Sequence, residues 1–471
     1  MSTSGDVSAD VAAEAARSHA TVERAIARYH DLLGQDAMAA DTQAALDEQQ
    51  RLRGLSFGIK PLSTVLRPRF MTADEQRRIQ RQTRALLGAF ARAGAAGVAD
   101  AGVRAQFRLE PWEEQLVGHD PGFAATSPTS RLDAFVMPAT GALAITEYNG
   151  ETPAGAAYVD NIADVFTGLP AMRAFSHEYQ AIAPPARPGV LRALLDSYTQ
   201  WSGGGKTPSV VILDWKEVPT YSEFVLFDDY FRSRGIPCMI GDPRDCEYRD
   251  GALYCAGTKV DLIYKRVLLS ELVAREGIDG PVVRAVLGNA ACMVNPFRCK
   301  MLHKKASLAV LSDERNAHLY SADQRAAIAA HVPWTRVLED RATTHDGERI
   351  DLLSWVAAHR QRLVLKPNDE YGGVGIVLGW ELGDHDWEVA MRVALASPHI
   401  VQERVSIPSE PYPSFAAGAL HVFDRMVDTA PFVCNGEYAE GMLTRLSTAA
   451  LLNVTAGGGS TVPTFVIEPR A

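Results

Sequence analysis

The chain has little cysteine: six residues in 471, at positions 238, 246, 255, 292, 299 and 434, with no C-x-x-C pair. That excludes a zinc ribbon or thioredoxin-like motif, and so few irregular thiols fit a reducing compartment. There is no apolar run of membrane-spanning length. The first residues, Met1 to Asp10, are polar and acidic without an apolar centre, so they do not read as a secretory signal, and a cytoplasmic protein is expected. Basic charge is in deficit, 47 Lys and Arg against 57 Asp and Glu, for a net charge of −10. This speaks against nonspecific nucleic-acid binding over the whole surface. No H-x-x-x-H with glutamate supports a zinc hydrolase, and neither Cys434 nor Ser307 sits in a nucleophile elbow or a cysteine-protease signature. Internal repeats, low-complexity tracts and heptads are also missing. The remaining composition, 47% hydrophobic and 22% charged, is that of a globular chain too long for one core, so two or three domains are expected.

What is present begins with a lysine-bearing strand that enters a glycine-rich turn, Leu363-Val364-Leu365-Lys366-Pro367-Asn368-Asp369-Glu370-Tyr371-Gly372-Gly373-Val374-Gly375. Glycines admit positive φ and let backbone N–H groups approach an anion, and a flanking lysine adds the charge a polyphosphate needs. The Walker pattern is absent, and Ile376 to Trp380 reads as a returning strand, which makes the segment a hairpin lid over phosphates. By itself the loop also fits a hairpin turn that binds nothing.

A second segment, Arg131 to Phe135 and Leu143 to Pro153, alternates like two strands around a turn. Glu147 and Asn149 lie two apart and share a strand face, and Asp133 can join them from across the turn. Three hard oxygen donors on one face suit Mg²⁺, and a solvated polar strand end is the competing reading.

Elsewhere, alanine-rich helical spacing covers 8–48 and 73–95, separated by extended chain near 58–70. Gln200 to Pro208 reads as a glycine linker. After it come strands at Val210–Leu213, Pro237–Ile240 and Asp261–Tyr264 with a helix at Tyr221–Arg234, a small doubly wound unit whose ligand edge carries Asp214, Tyr264, Lys265 and Arg266. Arg266 fits a substrate-carboxylate clamp or an interdomain ion pair equally well. Helices follow at Ala306–Leu311, Ala322–Ala330, Ile350–His359 and Trp387–Ala396.

Together these segments resemble the circularly permuted ATP-grasp ligases. Glu147-x-Asn149 before Thr152-Pro153, far upstream of Lys366-Pro367-x-x-Glu370-x-Gly372-Gly373, is similar to the glutathionylspermidine synthase-like proteins and more distantly to eukaryotic-type glutathione synthetase. Lys305, His399 to Val405, and Arg445 followed by Asn453 and Gly457-Gly458-Gly459 fit the same order, so the likeness runs over about residues 130–460. The resemblance implies an α/β fold with an α+β lid: a permuted ATP-grasp fold, an inserted small doubly wound domain and a helical N-terminal region. The corresponding division is 1–110 helical, 111–200 first core part with the metal-binding strands, 206–300 α/β substrate domain, and 301–471 lid, hinge and C-terminal core.

The resemblance also implies ATP and Mg²⁺ as cofactors. Lys305, Lys366, Gly372 and Gly373 would hold the phosphates, and Gln402, Glu403 and Val405 would form the adenine hinge. Asp133, Glu147, Asn149 and Glu370 would hold the metal, with Arg131 or Arg445 stabilising the transferred phosphoryl group. The activity implied is ligation of a small-molecule or peptide carboxylate to an amine, thiol or peptide through an acyl phosphate, with no nucleic-acid or membrane partner. A homodimer is an expectation at family level. There is no amidase-like domain such as bifunctional relatives carry. A non-catalytic nucleotide-binding regulator or scaffold, and a kinase that stops at phosphorylation, remain alternatives.

Overall fold

The computed structural model describes residues 4–370, 372–436, 438–448 and 459–470. Its centre is a hairpin of strands Thr129–Val136 and Leu143–Asn149. Leu132, Ala134 and Val136 are buried against Leu86 and Phe90 of the helix Ala73–Ala99, so Arg131 and Asp133 face the other way. The second strand opens with Leu143 and Ile145 in the same core. Its register then slips: Asp133 pairs with Glu147 but Ala134 pairs with Ile145, leaving Thr146 as the extra residue of a β-bulge. Beyond the bulge the parity reverses. Tyr148 goes into the core, and Glu147 and Asn149 turn to the face of Arg131 and Asp133.

C-terminal strands extend this hairpin into a seven-stranded sheet, in the order Ser409–Ala416, Ala419–Val427, Tyr438–Ser447, Ala430–Cys434, then the hairpin, with Ser460–Val462 beside Tyr438–Ser447. The helix Ala73–Ala99 starts at Thr72, whose hydroxyl accepts from the Glu75 N–H and caps the first turn. Thr464–Pro469 pairs parallel with Arg69–Thr72 and antiparallel with Tyr179–Ile182. Ser4–Leu33 and Met38–Leu52 pack with Ala156–Gly168 and Pro170–Phe175 in a neighbouring core that includes Tyr29, Phe70, Phe166 and Phe175.

Residues 210–294 carry a four-stranded parallel sheet, ordered Cys292–Val294, Leu262–Lys265, Val210–Leu213, Cys238–Gly241. The run Val210-Val211-Ile212-Leu213 is wholly buried because helices cover both faces. Arg187–Ser202 and Tyr221–Ser233 pack on one side, and Leu269–Glu276 and Pro281–Leu287 on the other. The strand Cys292–Val294 and a three-stranded meander over 246–260 are additions that the sequence pattern did not reveal.

A second four-stranded sheet is antiparallel: Thr335–Val337, His399–Glu403, Leu363–Pro367, Val377–Leu378. Leu352–Ala358 and Asp384–Leu395 cover one face through Val356, Trp387 and Met391. Three local expectations need correction. The returning strand is only Val377–Leu378; Gly379–Glu381 is a 3₁₀ turn, whose Gly379 lies so close to the Arg360 carbonyl that a side chain has no room there. Glu348–Asp351 is a strand, so the helix read from Ile350 starts at Leu352, capped by Asp351. Gln200 to Ser202 end a helix, and the linker begins at Gly203. Among the described residues no single helix is long and apolar enough to cross a membrane.

Candidate functional site

A cavity of about 520 Å³ opens where the bulged hairpin face, the four-stranded antiparallel sheet and the C-terminal edge of the parallel sheet meet. Arg131, Asp133, Glu147, Asn149, Lys366, Gly372, Gly373, Gln402, Glu403, Val405 and Arg445 all line it. The remaining two candidates, Lys305 and Glu370, are not on its wall.

At its floor Asp133 is gripped from two sides. Arg131 donates to both oxygens, Nε to Oδ1 at 2.7 Å and Nη2 to Oδ2 at 3.1 Å, and Arg445 Nη2 donates to Oδ2 at 2.7 Å. Burial pushes this carboxyl up, but the two guanidiniums together outweigh it and hold Asp133 well below the usual carboxylate range. Arg445 is itself oriented by Asp428, which accepts from its backbone N–H and from Nε, each at 2.6 Å. Burial raises the Asp428 carboxyl, and Arg445 counters it.

Next to this pair the lysines converge. Lys305, at the start of the helix Ala306–Ser312, donates to Glu147 Oε1 at 3.2 Å and to the Glu370 carbonyl at 2.5 Å. Burial raises the Glu147 carboxyl, and Lys305 with Lys366 and His303 overcomes that, so it titrates below the ordinary value. Lys366 donates to Gln402 Oε1 at 2.7 Å and to the carbonyl of the bulged Thr146 at 3.3 Å. Burial pushes its ammonium down to about 8, against the pull of Glu147. Gln402 is fixed from behind by donating to Thr335 Oγ1 at 3.0 Å. Glu403 bonds His345 at 3.0 Å and Arg362 at 2.8 Å, so its carboxylate is a strut between neighbouring segments of this sheet. Val405 lies just past the strand end.

Gly372 and Gly373 have φ of 65° and 79°, the left-handed region that favours glycine. Glu370 is exposed and engages Lys305 through its carbonyl, not through its carboxylate. Asn453, Gly457 and Gly458 lie outside the described residues. The donor set suits a polyphosphate: the Lys366 ammonium and a glycine turn line the cavity, with Lys305 behind Glu147. It suits a divalent ion less evenly. Glu147 and Asn149 face the cavity, while both oxygens of Asp133 are already engaged by arginine.

Beneath the loop lies a network that the sequence pattern missed. Lys300 Nζ contacts Glu151 at 3.0 Å, Asp369 at 2.8 Å and Glu113 at 3.4 Å, and Lys304 contacts Glu113 and Asp369, each at 2.9 Å. Lys265 faces Glu151 at 3.6 Å. Three lysines thus balance three carboxylates from a helix, the hairpin end and the glycine loop itself. Glu151, His303 and Asp369 could also frame a metal, but the Lys300 ammonium occupies the place between the two carboxylates. Burial drops His303 to about 4, so it stays neutral at pH 7. The sequence signals were Lys300 four residues before Lys304, which follows the end of the helix Cys299–His303, and Asp369 inside the loop.

Arg266, open in sequence between two roles, is buried and donates to the Pro153 carbonyl at 2.6 Å and to Glu223 of the helix Tyr221–Ser233 at 3.4 Å, so it ties the parallel unit to the segment after the hairpin. Asp214 also lines the cavity, and burial raises its carboxyl to about 6.

No family model matches the chain. It is 25% identical over 386 residues to a protein of Mycobacterium leprae described as uncharacterised, covering 77% of this chain and 63% of that protein. A Mycobacterium tuberculosis protein described likewise is 26% identical over 381 residues, with 77% and 64% covered. A putative glutamate–cysteine ligase of Frankia alni is 25% identical over 477 residues, covering 93% of this chain and 51% of that one. The chain therefore spans less than two thirds of the length of these curated relatives. Among solved structures, a glutathione synthetase-like effector from Globodera pallida in its apo form superposes with a TM-score of 0.58 at 11% identity, covering 92% of this chain and 98% of that one. The protein is a mixed α/β chain with the fold of a glutathione synthetase-like protein.

Proposed function

We propose that the chain is an ATP- and Mg²⁺-dependent ligase of the circularly permuted ATP-grasp type, joining a small-molecule or peptide carboxylate to an amine. The observation that carries this reading is the convergence of Lys366, the Gly372–Gly373 turn, Glu147 and Arg445 on one cavity within that fold. Lys305 and Lys366 neutralise the phosphates, and the glycine turn offers its N–H groups to them. Bound Mg²⁺ and ATP supply charge neutralisation and the phosphoryl group that activates a carboxylate. Glu147 and Asn149 are the proposed metal ligands, with Asp133 joining once an arginine lets go of an oxygen; the exposed Glu370 is left out. Arg131 and Arg445 hold negative charge that develops over the floor of the site.

One observation favours a second reading. With both oxygens of Asp133 closed by arginine, the chain also fits a nucleotide-binding regulator that does not turn over. Calorimetry of ATP and ADP, with and without Mg²⁺, on wild type and Lys366→Ala separates the two. Metal-dependent binding lost in the variant, followed by ADP release with a carboxylate and amine pair, supports the ligase. Binding without metal dependence supports the regulator, and no binding by folded protein removes both.

A further inference from the structure

The meander over 246–260 places two thiols opposite one another. Cys246 on Cys246–Arg249 is the register partner of Cys255 on Ala252–Cys255. The strands are joined by Asp250 and Gly251 with φ of 51° and 71°, the two-residue left-handed turn of a tight hairpin. In such a hairpin the pair beside the turn, Arg249 and Ala252, is hydrogen-bonded, and bonded and non-bonded pairs alternate outward. Cys246 and Cys255 therefore form a non-hydrogen-bonded pair. The next step out agrees, since the Ala256 N–H donates to the Asp245 carbonyl at 2.9 Å. Non-bonded pairs have Cα atoms about 4.5 Å apart, inside the roughly 4.4–6.8 Å that a disulfide spans.

The side chains meet as well. Both Sγ atoms reach the Asp242 carbonyl, Cys246 at 3.6 Å and Cys255 at 3.9 Å, so both sulfurs lie on one side of the strand pair. Both are free thiols, packed with Leu253 and Val260 in the core of the parallel unit. The other four cysteines sit on separate elements, at Cys238, Cys292, Cys299 and Cys434, with none opposite another in register.

We propose that Cys246 and Cys255 are a redox-active dithiol that closes to an intramolecular disulfide, with a low-molecular-weight disulfide as oxidant. Cys246, 5% exposed against 0% for Cys255, meets the oxidant first. Its thiolate attacks one sulfur, the oxidant's S–S bond breaks, and one small thiol leaves with the proton that Cys246 released. Cys255 then gives up its proton, attacks Cys246 Sγ in the mixed disulfide and expels the second small thiol. The balance is two protein thiols and one small disulfide in, one protein disulfide and two small thiols out.

The test uses the full chain, reduced with dithiothreitol and then exposed to glutathione disulfide. Thiols are counted after denaturation, and peptides are mapped without reduction. The expected result is a loss of two thiols from six, with a Cys246–Cys255 peptide that reduction restores. Cys255→Ser is expected to stop at a glutathione adduct on Cys246, and Cys238→Ser is expected to behave as wild type. Retention of six thiols, a bond to any other cysteine, or adducts without ring closure in the wild type overturns the proposal, and the wild-type map decides even if a variant misfolds.

Discussion

Asp133 and Glu147 stand opposite each other across a bulged strand pair, and the bulge is what puts them on one face. With strict alternation, Glu147 and Asn149 would follow Leu143 and Ile145 into the apolar core beside Phe90. Thr146 absorbs one residue of register, its hydroxyl donates to the Asp133 carbonyl at 3.2 Å, and its own carbonyl accepts from Lys366. Deleting Thr146 removes the bulge but leaves Ile145 opposite Ala134 and Glu147 opposite Asp133, so the variant is expected to keep a cooperative circular-dichroism melting transition while losing the carbonyl that accepts from Lys366. Thr146→Ala keeps the bulge and loses one hydrogen bond, so its expected cost is about 0.5–1.5 kcal/mol in urea unfolding. A deletion variant without a cooperative melting transition would show that the hairpin needs the bulge itself and not only this register.

Glu147→Gln separates metal holding from support of Lys305. Glutamine still accepts from the Lys305 ammonium, so the helix start stays in place, but the anionic oxygen for a divalent ion is gone. The expected outcome is a folded protein whose nucleotide affinity no longer responds to Mg²⁺, measured by calorimetry with and without the ion. An unchanged Mg²⁺ response would remove Glu147 from the proposed ligand set.

Much of this was open to the sequence, for physical reasons that differ between residues. Buried runs such as Val210–Leu213 and the helix at Tyr221 show themselves by local periodicity, and the Lys366 loop by its glycines. Glu147 and Asn149 share a face because they are two apart, but the face itself depends on Thr146, and a bulge leaves no mark in composition. Asp428 was missed because nothing local distinguishes one aspartate between two strands; only its bonds to Arg445 do. Glu113 and Lys304 are joined across nearly two hundred residues, a pairing that only tertiary structure creates. Lys366 and Gln402 are closer to legible, since they sit on adjacent strands of the antiparallel sheet.

The depressed Lys366 ammonium makes anion binding pH-dependent. Burial brings it to about 8 from an ordinary 10.5. Below about pH 8 it carries its charge and polyphosphate affinity is full. Between that value and 10.5 the free protein has lost a proton that the complex takes back, so affinity falls by at most about tenfold per pH unit. Over the same window the unfolded chain binds more protons than the folded one, so the contribution of Lys366 to stability rises with pH. ATP titrations at pH 8.5 in two buffers of different ionisation enthalpy are expected to show proton uptake in wild type. Lys366→Ala is expected to show weaker binding and none of that uptake; equal uptake in both would place the titrating group elsewhere.

Glu151 tests whether the buried network braces the glycine loop. Its carboxylate is fully buried, accepts from the Leu269 N–H at 2.6 Å, and faces Lys300 and Lys265. Burial raises its carboxyl, but Lys300, Lys265 and His303 outweigh this and hold it well below the ordinary glutamate value. Removing one partner strands buried ammoniums, so Glu151→Gln is expected to cost about 3–5 kcal/mol in urea unfolding at pH 7. The sign with pH follows from the depressed folded-state value. This stability is present above the unfolded glutamate value and is lost as pH falls below it, so the gap between wild type and variant narrows on acidification. Because Asp369 of the loop shares Lys300 with Glu151, the variant is also expected to weaken nucleotide binding at a temperature where it remains folded. A destabilised variant with unchanged nucleotide affinity would make the network a brace for the fold alone, with the loop held instead by Asn368, which accepts from the Ala306 N–H at 2.8 Å and donates to the Phe107 carbonyl at 2.9 Å.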